Sequence, residues 1–197
     1  MSEFQVDIAS GLIRGARYIA SPNCDDRPDP FEINLLVVHG ISLPPNEFGG
    51  PWIEALFTNS LDPDAHPYFR EIHELRVSSH LLIRRDGELL QFVPFNKRAW
   101  HAGVSNFCGR ERCNDYSIGI ELEGTDELPY EEAQYRRLAE VVETVQKAYP
   151  EITRDRIVGH SDIAPGRKTD PGPAFSWEHF AQLLDKYDSH RDRTSLT

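Results

Sequence analysis

The chain has 197 residues and a net charge of −11, with 39% hydrophobic and 27% charged residues. That profile predicts one globular domain large enough to bury a sizeable core, and the acidic balance argues against a nucleic-acid partner, which demands a basic face. No run approaches the ~18 consecutive apolar residues of a membrane span, and the N-terminal residues lack a basic stretch leading into an apolar one, the mark of an export signal. The three cysteines, Cys24, Cys108 and Cys113, are odd in number and read as reduced thiols. The expectation is a cytoplasmic monomer, with any anionic ligand held by a local Arg or Lys cluster.

In chain order, residues 20–30 (ASPNCDDRPDP) form a polar lead-in, and the apolar run NLLVVHG reads as a buried strand ending at His39. A loop, ISLPPNEFGGP, leads to short helices at WIEALFTNS and HPYFREIHELR. VSSHLLIRRDGELLQFVP reads as two strands joined at Asp86-Gly87, a type I′ hairpin signal. FNKRAWHAGVSNFCGRERCND has no period and reads as a long irregular segment, a kind that is usually functional or disordered. In YSIGIELEG, Ile118, Ile120 and Leu122 share one face of a strand, and Ser117, Gly119, Glu121 and Glu123 the other.

The main helix is predicted at PYEEAQYRRLAEVVETVQKAYP, where Leu138, Val141, Val142, Val145 and Ala148 form an apolar stripe behind a first turn suited by Pro129, Glu131 and Glu132. RIVGH reads as a further strand ending in His. The stiff loop VGHSDIAPGRKTDPG overlaps it and leads to a last helix at SWEHFAQLLDKY. Strands alternating with helices around one hairpin predict a single α/β domain over residues 1–187. It should hold a central mixed β-sheet flanked by helices, with residues 188–197 a polar, disordered tail. Sites in such sheets gather at the C-terminal ends of strands.

Two strands deliver a His at that end, His39 and His160, and Asp170 follows in a loop stiffened by Pro165, Pro171 and Pro173. Two imidazoles and a carboxylate suffice for a catalytic zinc with one position left open. Spacing alone leaves equal room for two satisfied core or surface histidines, because sequence separation carries no proximity information. A water at such a metal needs a proton acceptor. Glu121 and Glu123 are the candidates, against the alternative of a solvated strand face. Lys168 would stabilise a developing oxyanion, although Lys168 and Arg167 also read as a plain surface pair. Arg76, Arg110 and Arg112 would suit an anion clamp, or be solvated charges. Trp100 would stack on a sugar or anchor its loop. His101 with Cys108 and Cys113 matches no known zinc-finger spacing, and His80 reads as a hydrogen-bonded core histidine.

Taken together, LLVVHGISLPPNEFGG, VSSHLLIRRDG, RAWHAGVS, CNDYSIGIELEGTD and GHSDIAPGRKTDPG resemble the zinc-dependent N-acetylmuramoyl-L-alanine amidases, over most of the chain. The likeness is to the branch acting on 1,6-anhydro-muropeptides in peptidoglycan recycling. The resemblance implies a fold shared with peptidoglycan recognition proteins and one Zn²⁺ per chain on His39, His160 and Asp170. It implies Glu121, not Glu123, as the catalytic carboxylate and Lys168 as its partner in catalysis. It associates Arg76 and Arg112 with substrate carboxylates and puts Tyr68 near the site. Arg167 and Trp100 complete the expected substrate-binding set. The sequence departs from the pattern at Gly40, where relatives carry Asn. A non-catalytic muropeptide-binding sensor on the same fold is the alternative.

Overall fold

The structure, a computed structural model, describes residues 4–29 and 32–194, and the side chains of these up to 187. The elements run in the order β1 (Gln5–Asp7), β2 (Leu12–Arg14), β3 (Arg17–Tyr18), β4 (Cys24–Asp26), β5 (Leu35–Ile41), α1 (Trp52–Phe57), α2 (Phe69–Ile72), β6 (Leu81–Ile83), β7 (Leu89–Gln91) and β8 (Lys97–Ala99). They continue with β9 (Asn106–Phe107), β10 (Arg110–Glu111), β11 (Ser117–Glu123), α3 (Glu132–Ala148), β12 (Ile157–Gly159), α4 (His160–Ile163) and α5 (Trp177–Thr194). Six strands form the central sheet in the order β12-β5-β11-β6-β7-β3. β12, β5, β11 and β6 are mutually parallel, and β7 turns back antiparallel to β6. The predicted mixed sheet is therefore present.

Alternation along β5 and β11 divides the core. Leu36, Val38, Ile118, Ile120 and Leu122 face the stripe of α3, together with Phe180, Leu183 and Leu184 of α5. Each such side chain, fully buried, contributes roughly 1.5–3 kcal/mol. On the opposite face the cover is divided. Leu35 and Val37 pack with Ala102, Tyr116 and Ile163, whereas Ile41 joins the cluster of Ile53, Phe57, Phe69 and Leu82 beneath α1 and α2. His39 occupies this second face between the two apolar patches, so the sheet presents it where helical cover is interrupted.

Several elements differ from the sequence reading. β5 runs two residues past His39. α2 is a single turn. The β6–β7 connection is not a type I′ turn. Arg84 and Glu88 bond across a three-residue loop in which Gly87 has φ +87° and Asp86 does not have positive φ, a type I turn closed by a left-handed glycine. The segment read as irregular holds β8 and the β9–β10 ribbon, and β8 pairs antiparallel with β4 inside the polar lead-in. β11 is buried along its whole length, which rules out a solvated face for Glu121 and Glu123. The backbone of α5 continues helical through residues 188–194, where a tail is expected; residues 195–197 lie outside the described residues.

Gln134, fully buried, joins α3 to the sheet. Its amide donates to the carbonyls of Ile83 and Glu123 (3.3 and 3.0 Å), and its oxygen accepts the Glu131 N–H (3.0 Å). Gln134→Leu should remove this partner from the buried carbonyl bonds of Ile83 and Glu123 and from the part-buried Glu131 N–H, and destabilise the fold by roughly 1–3 kcal/mol. Urea unfolding at constant m value is the measurement, and an unchanged midpoint would contradict this account of how α3 is docked.

Candidate active site

His39, His160 and Asp170 come from three places: the fifth residue of β5, the first residue of α4 just past β12, and the loop before α5. β12 pairs alongside β5 with Gly159 opposite Val38, which brings His160 next to His39. His39 Nδ1 lies 3.0 Å from His160 Nδ1 and 3.2 Å from Asp170 Oδ2, and His160 Nδ1 lies 3.1 Å from the same oxygen. Among the described residues this is the one cluster of His, Cys, Asp or Glu side chains arranged to hold a metal ion.

The ring tautomers determine what the three atoms offer one another. His160 Nε2 lies 3.1 Å from the Ala102 carbonyl, which can only accept, so this nitrogen carries the proton and a neutral His160 has a bare lone pair at Nδ1. His39 Nε2 lies 2.8 Å from His101 Nδ1. Burial pushes His39 down to about 4, against the opposing hydrogen bond to Asp170, and keeps it neutral at pH 7. With its proton on Nε2, His39 also presents a lone pair at Nδ1. Burial alone would push the Asp170 carboxyl up, yet the hydrogen bonds with His160 and His39 reverse this and leave it well below its ordinary value. Hydrogen bonds from Nδ1 to Asp170 need an imidazole proton at Nδ1; with both imidazole protons on Nε2 instead, two lone pairs and an anionic oxygen converge within 3.2 Å of one another, an arrangement that a cation would stabilise. Donors about 2.0–2.1 Å from a tetrahedral zinc lie about 3.3–3.4 Å apart, close to the 3.0–3.2 Å seen here. The donor set fits zinc.

Glu121 is the direct neighbour of His39 in the parallel β5–β11 register, so both side chains leave the same face of the sheet. It is 8% exposed, and its Oε2 is buried without a hydrogen-bond partner. Burial pushes its carboxyl well above the ordinary range, the Asp170 charge adds to this, and Lys168 opposes it. Lys168 itself is solvent-exposed yet close enough for its charge to act on both Glu121 and His39. Glu123, two residues on, has no such freedom. It accepts from Arg84 Nη1 (3.1 Å), the Gly49 N–H (2.7 Å) and the Arg85 N–H (3.2 Å), and ties the loop after β5 to the sheet.

The residues expected to bind substrate are scattered and mostly engaged. Arg112, at φ +60°, pairs with Asp115 (3.0 Å) and, with Arg167, Val104 and Ile163, lines an open cavity of about 540 Å³. Arg167 is not a free cation: its Nη2 donates to the carbonyls of Ala102 (2.6 Å) and Val104 (2.7 Å). Arg110 pairs with Glu32 (2.5 Å), which removes it from the clamp considered above. Arg76 is exposed and has only long contacts, 3.4 Å, to the carbonyls of His73 and Leu75. Trp100 donates its indole N–H to Asp25 (3.2 Å), and Tyr68 packs against the apolar cluster under α1 and α2. A Cβ at Gly40 would run into the Tyr130 hydroxyl, so this position faces α3 rather than the ligand side.

Two contributors escaped the sequence reading. The Tyr130 hydroxyl donates to the carbonyl of Pro171 (3.0 Å), next to Asp170. His101 touches His39 and is remote from any zinc with Cys108 and Cys113, of which Cys108 is exposed and Cys113 buried beside Tyr116. Gly119 was a readable signal for His101, since a glycine inside a strand often marks a close approach. His80 is the core histidine expected: its Nδ1 accepts the Gly119 N–H at 3.0 Å.

A mixed sheet carrying a His-His-Asp cluster that could hold a metal ion, beside a buried carboxylate with an unpartnered oxygen, defines the class of this domain. The chain belongs to the N-acetylmuramoyl-L-alanine amidase family, whose sequence model matches residues 29–173. It is 62% identical over 184 residues to the 1,6-anhydro-N-acetylmuramyl-L-alanine amidase AmpD of Salmonella typhimurium, a match covering 93% of this chain and 97% of that protein. A crystal structure of selenomethionyl AmpD superposes with a TM-score of 0.86 at 61% identity, over 89% of this chain and 97% of the other. The Pseudomonas aeruginosa protein AmpDh3, solved in complex with an anhydromuramic pentapeptide, is 28% identical with a TM-score of 0.58, over 84% of this chain and 69% of its own.

A buried carboxylate oxygen without a partner should weaken the fold. The folded pKa of Glu121 is raised, so its contribution is fully present below its unfolded pKa and is lost as pH rises through the folded pKa. In metal-free protein at pH 7, Glu121→Gln should therefore be more stable than wild type, by roughly 1–3 kcal/mol for relief of an unsatisfied buried group. The gain should vanish below about pH 4, near the unfolded value. Thermal melts across pH test it; equal melting temperatures at pH 7 would show that Glu121 carries no such strain.

Proposed function

We propose that His39, His160 and Asp170 hold one Zn²⁺ and that Glu121 and Lys168 work beside it in the reaction of this family. The chain is an N-acetylmuramoyl-L-alanine amidase of the AmpD kind, hydrolysing the amide between 1,6-anhydro-N-acetylmuramic acid and L-alanine in peptidoglycan recycling. The observation that carries the site assignment is the convergence of His39 Nδ1, His160 Nδ1 and Asp170 Oδ2 within 3.2 Å of one another, beside the one buried carboxylate oxygen that lacks a partner among the described residues. Zinc held there supplies Lewis acidity toward the amide carbonyl and the attacking water.

The protein's own groups carry the protons. Glu121, with its raised affinity for a proton, takes one from the water as its oxygen attacks the lactyl carbonyl carbon. As the carbon–nitrogen bond breaks, Glu121 delivers that proton to the L-alanine nitrogen. The products are the lactyl carboxylic acid and a peptide with a free amine. Lys168 faces the charge that develops on the carbonyl oxygen. Arg112 and Arg76 bind the carboxylates of the stem peptide, and Arg167, Trp100 and Tyr68 shape the ground around them. The anhydro-muropeptide bound by AmpDh3 supports this class of ligand for the same fold. We place the enzyme in the cytoplasm as a monomer acting on soluble turnover fragments. Among the described residues no helix is long and apolar enough to cross a membrane. A non-catalytic sensor would have no use for Glu121 in its unpartnered state.

Purified protein should carry one zinc, and His39→Ala, His160→Ala and Asp170→Ala should each lose most of it by elemental analysis. Glu121→Ala should keep the metal and lose activity on anhydro-muramoyl peptides by about 10²-fold or more in a mass-spectrometric assay, with Glu123→Ala acting through stability instead. Wild-type zinc content in all three ligand variants would overturn the assignment. Arg112→Ala should weaken turnover of tripeptide-bearing substrate more than of muramoyl-L-alanine, by roughly 1.5–3 kcal/mol for a lost charged hydrogen bond. Equal losses on both would show that Arg112 does not read the stem.

A further inference from the structure

We infer that His101 is a positioning residue for His39, fixing by its hydrogen bond which ring nitrogen of His39 is offered to a metal; this rests on the zinc reading above. The contact between His39 Nε2 and His101 Nδ1, 2.8 Å, is shorter than any of the 3.0–3.2 Å distances inside the ligand cluster. The rings meet edge to face at 89°. His101 Nε2 in turn lies 3.0 Å from Ser117 Oγ. With its proton on Nε2, given to the Ser117 hydroxyl, His101 has a lone pair at Nδ1 that accepts the His39 Nε2 proton. The opposite tautomer would put a proton on His39 Nδ1, in the middle of the ligand cluster, where it blocks coordination.

The surroundings hold His101 to that task. A Cβ at Gly119 would fall 2.6 Å from the His101 ring, so the glycine in the middle of β11 is the recess in which the ring lies. Asn114 Oδ1 accepts the backbone N–H groups of both His101 (3.1 Å) and Ala102 (2.8 Å), which fixes the chain from which the ring projects. The next residue serves the other histidine: the Ala102 carbonyl accepts the His160 Nε2 proton at 3.1 Å. Two consecutive residues, one by a side chain and one by its backbone, thus orient both imidazoles of the cluster. Outer partners of this kind commonly change metal affinity by 10–100-fold when removed.

The test compares wild type with His101→Leu, which removes the acceptor, and His101→Asn, whose side-chain oxygen sits near the place of Nδ1. Zinc affinity is read by competition with a chromophoric chelator, and the site geometry by the visible spectrum of the Co²⁺-loaded protein. His101→Leu should bind zinc roughly 10–100-fold more weakly, with an altered cobalt spectrum, and His101→Asn should recover most of the loss. Unchanged affinity in His101→Leu overturns the inference while leaving the zinc site standing. Equal weakness in both variants overturns it too, because ring volume and not the acceptor would then matter. A wild type that binds no zinc removes the site itself. Should His101→Leu not fold, nitrogen-15 NMR of zinc-free wild type decides: a protonated Nε2 and a bare Nδ1 on His101 are required, and a proton on Nδ1 overturns the inference.

Discussion

The parallel pairing of β5 with β11 sets most of what this site can do. It aligns His39 with Glu121 as immediate neighbours on one sheet face, about 4.8 Å apart along the hydrogen-bonding direction. Because side chains alternate, the same register sends Val38, Ile120 and Leu122 into the core under α3. A shift of one residue would exchange those sets, burying a histidine and two carboxylates against α3 and exposing the apolar row. The hydrophobic core on one face therefore enforces the polar geometry on the other. Adding β12 on the far side of β5 brings His160 into reach by the same device, a strand of fixed register that stops where its ligand begins.

Once aligned, the polar groups obey a second constraint. For both Nδ1 atoms to be free for a metal, the outer nitrogen of each histidine must hold the ring's proton. The Ala102 carbonyl and His101 Nδ1 do this from neighbouring positions in one loop. Tyr130 secures the third member from the other side, through the carbonyl of Pro171. The absence of a side chain at Gly40 leaves space for that hydroxyl.

Much of this was legible in the sequence where a strong pattern met an unusual residue. Apolar runs broken by His39 and His160, and a strand whose one face is Ser117, Gly119, Glu121 and Glu123, announced the sheet and its polar side. The long helix followed from its stripe. What escaped was structure made by backbone pairing alone: β4 and β8 are three residues each and polar in part, with no period to read. The Asp86-Gly87 turn was read as the tighter of two loops because the dipeptide suits both, and only the pairing of Arg84 with Glu88 distinguishes them. His101 was weighed only beside Cys108 and Cys113, since nothing in its spacing places it over Gly119. The arginines considered for a substrate were visible in the sequence, but their states were hidden: Arg110 pairs with Glu32 and Arg167 is held by the carbonyls of Ala102 and Val104, and no charge count reveals that.

The two glutamates of β11 show how one strand divides labour through its surroundings. Glu121 and Glu123 leave the same face, two residues apart, with similar burial. Glu123 meets Arg84 and two backbone N–H groups and becomes a structural anion that fastens the loop after β5. Glu121 meets no donor at Oε2 and has an anionic neighbour in Asp170, so its proton affinity rises. The difference arises outside the strand. Glu123 lies beneath a loop rich in backbone donors and beside a guanidinium, whereas Glu121 lies next to a cluster of acceptors. A partner for Glu121 would stabilise the fold and remove the group most able to move a proton. The position is left unsatisfied by the same register that brings His39 beside it, and the core under α3 supplies the stability that permits it.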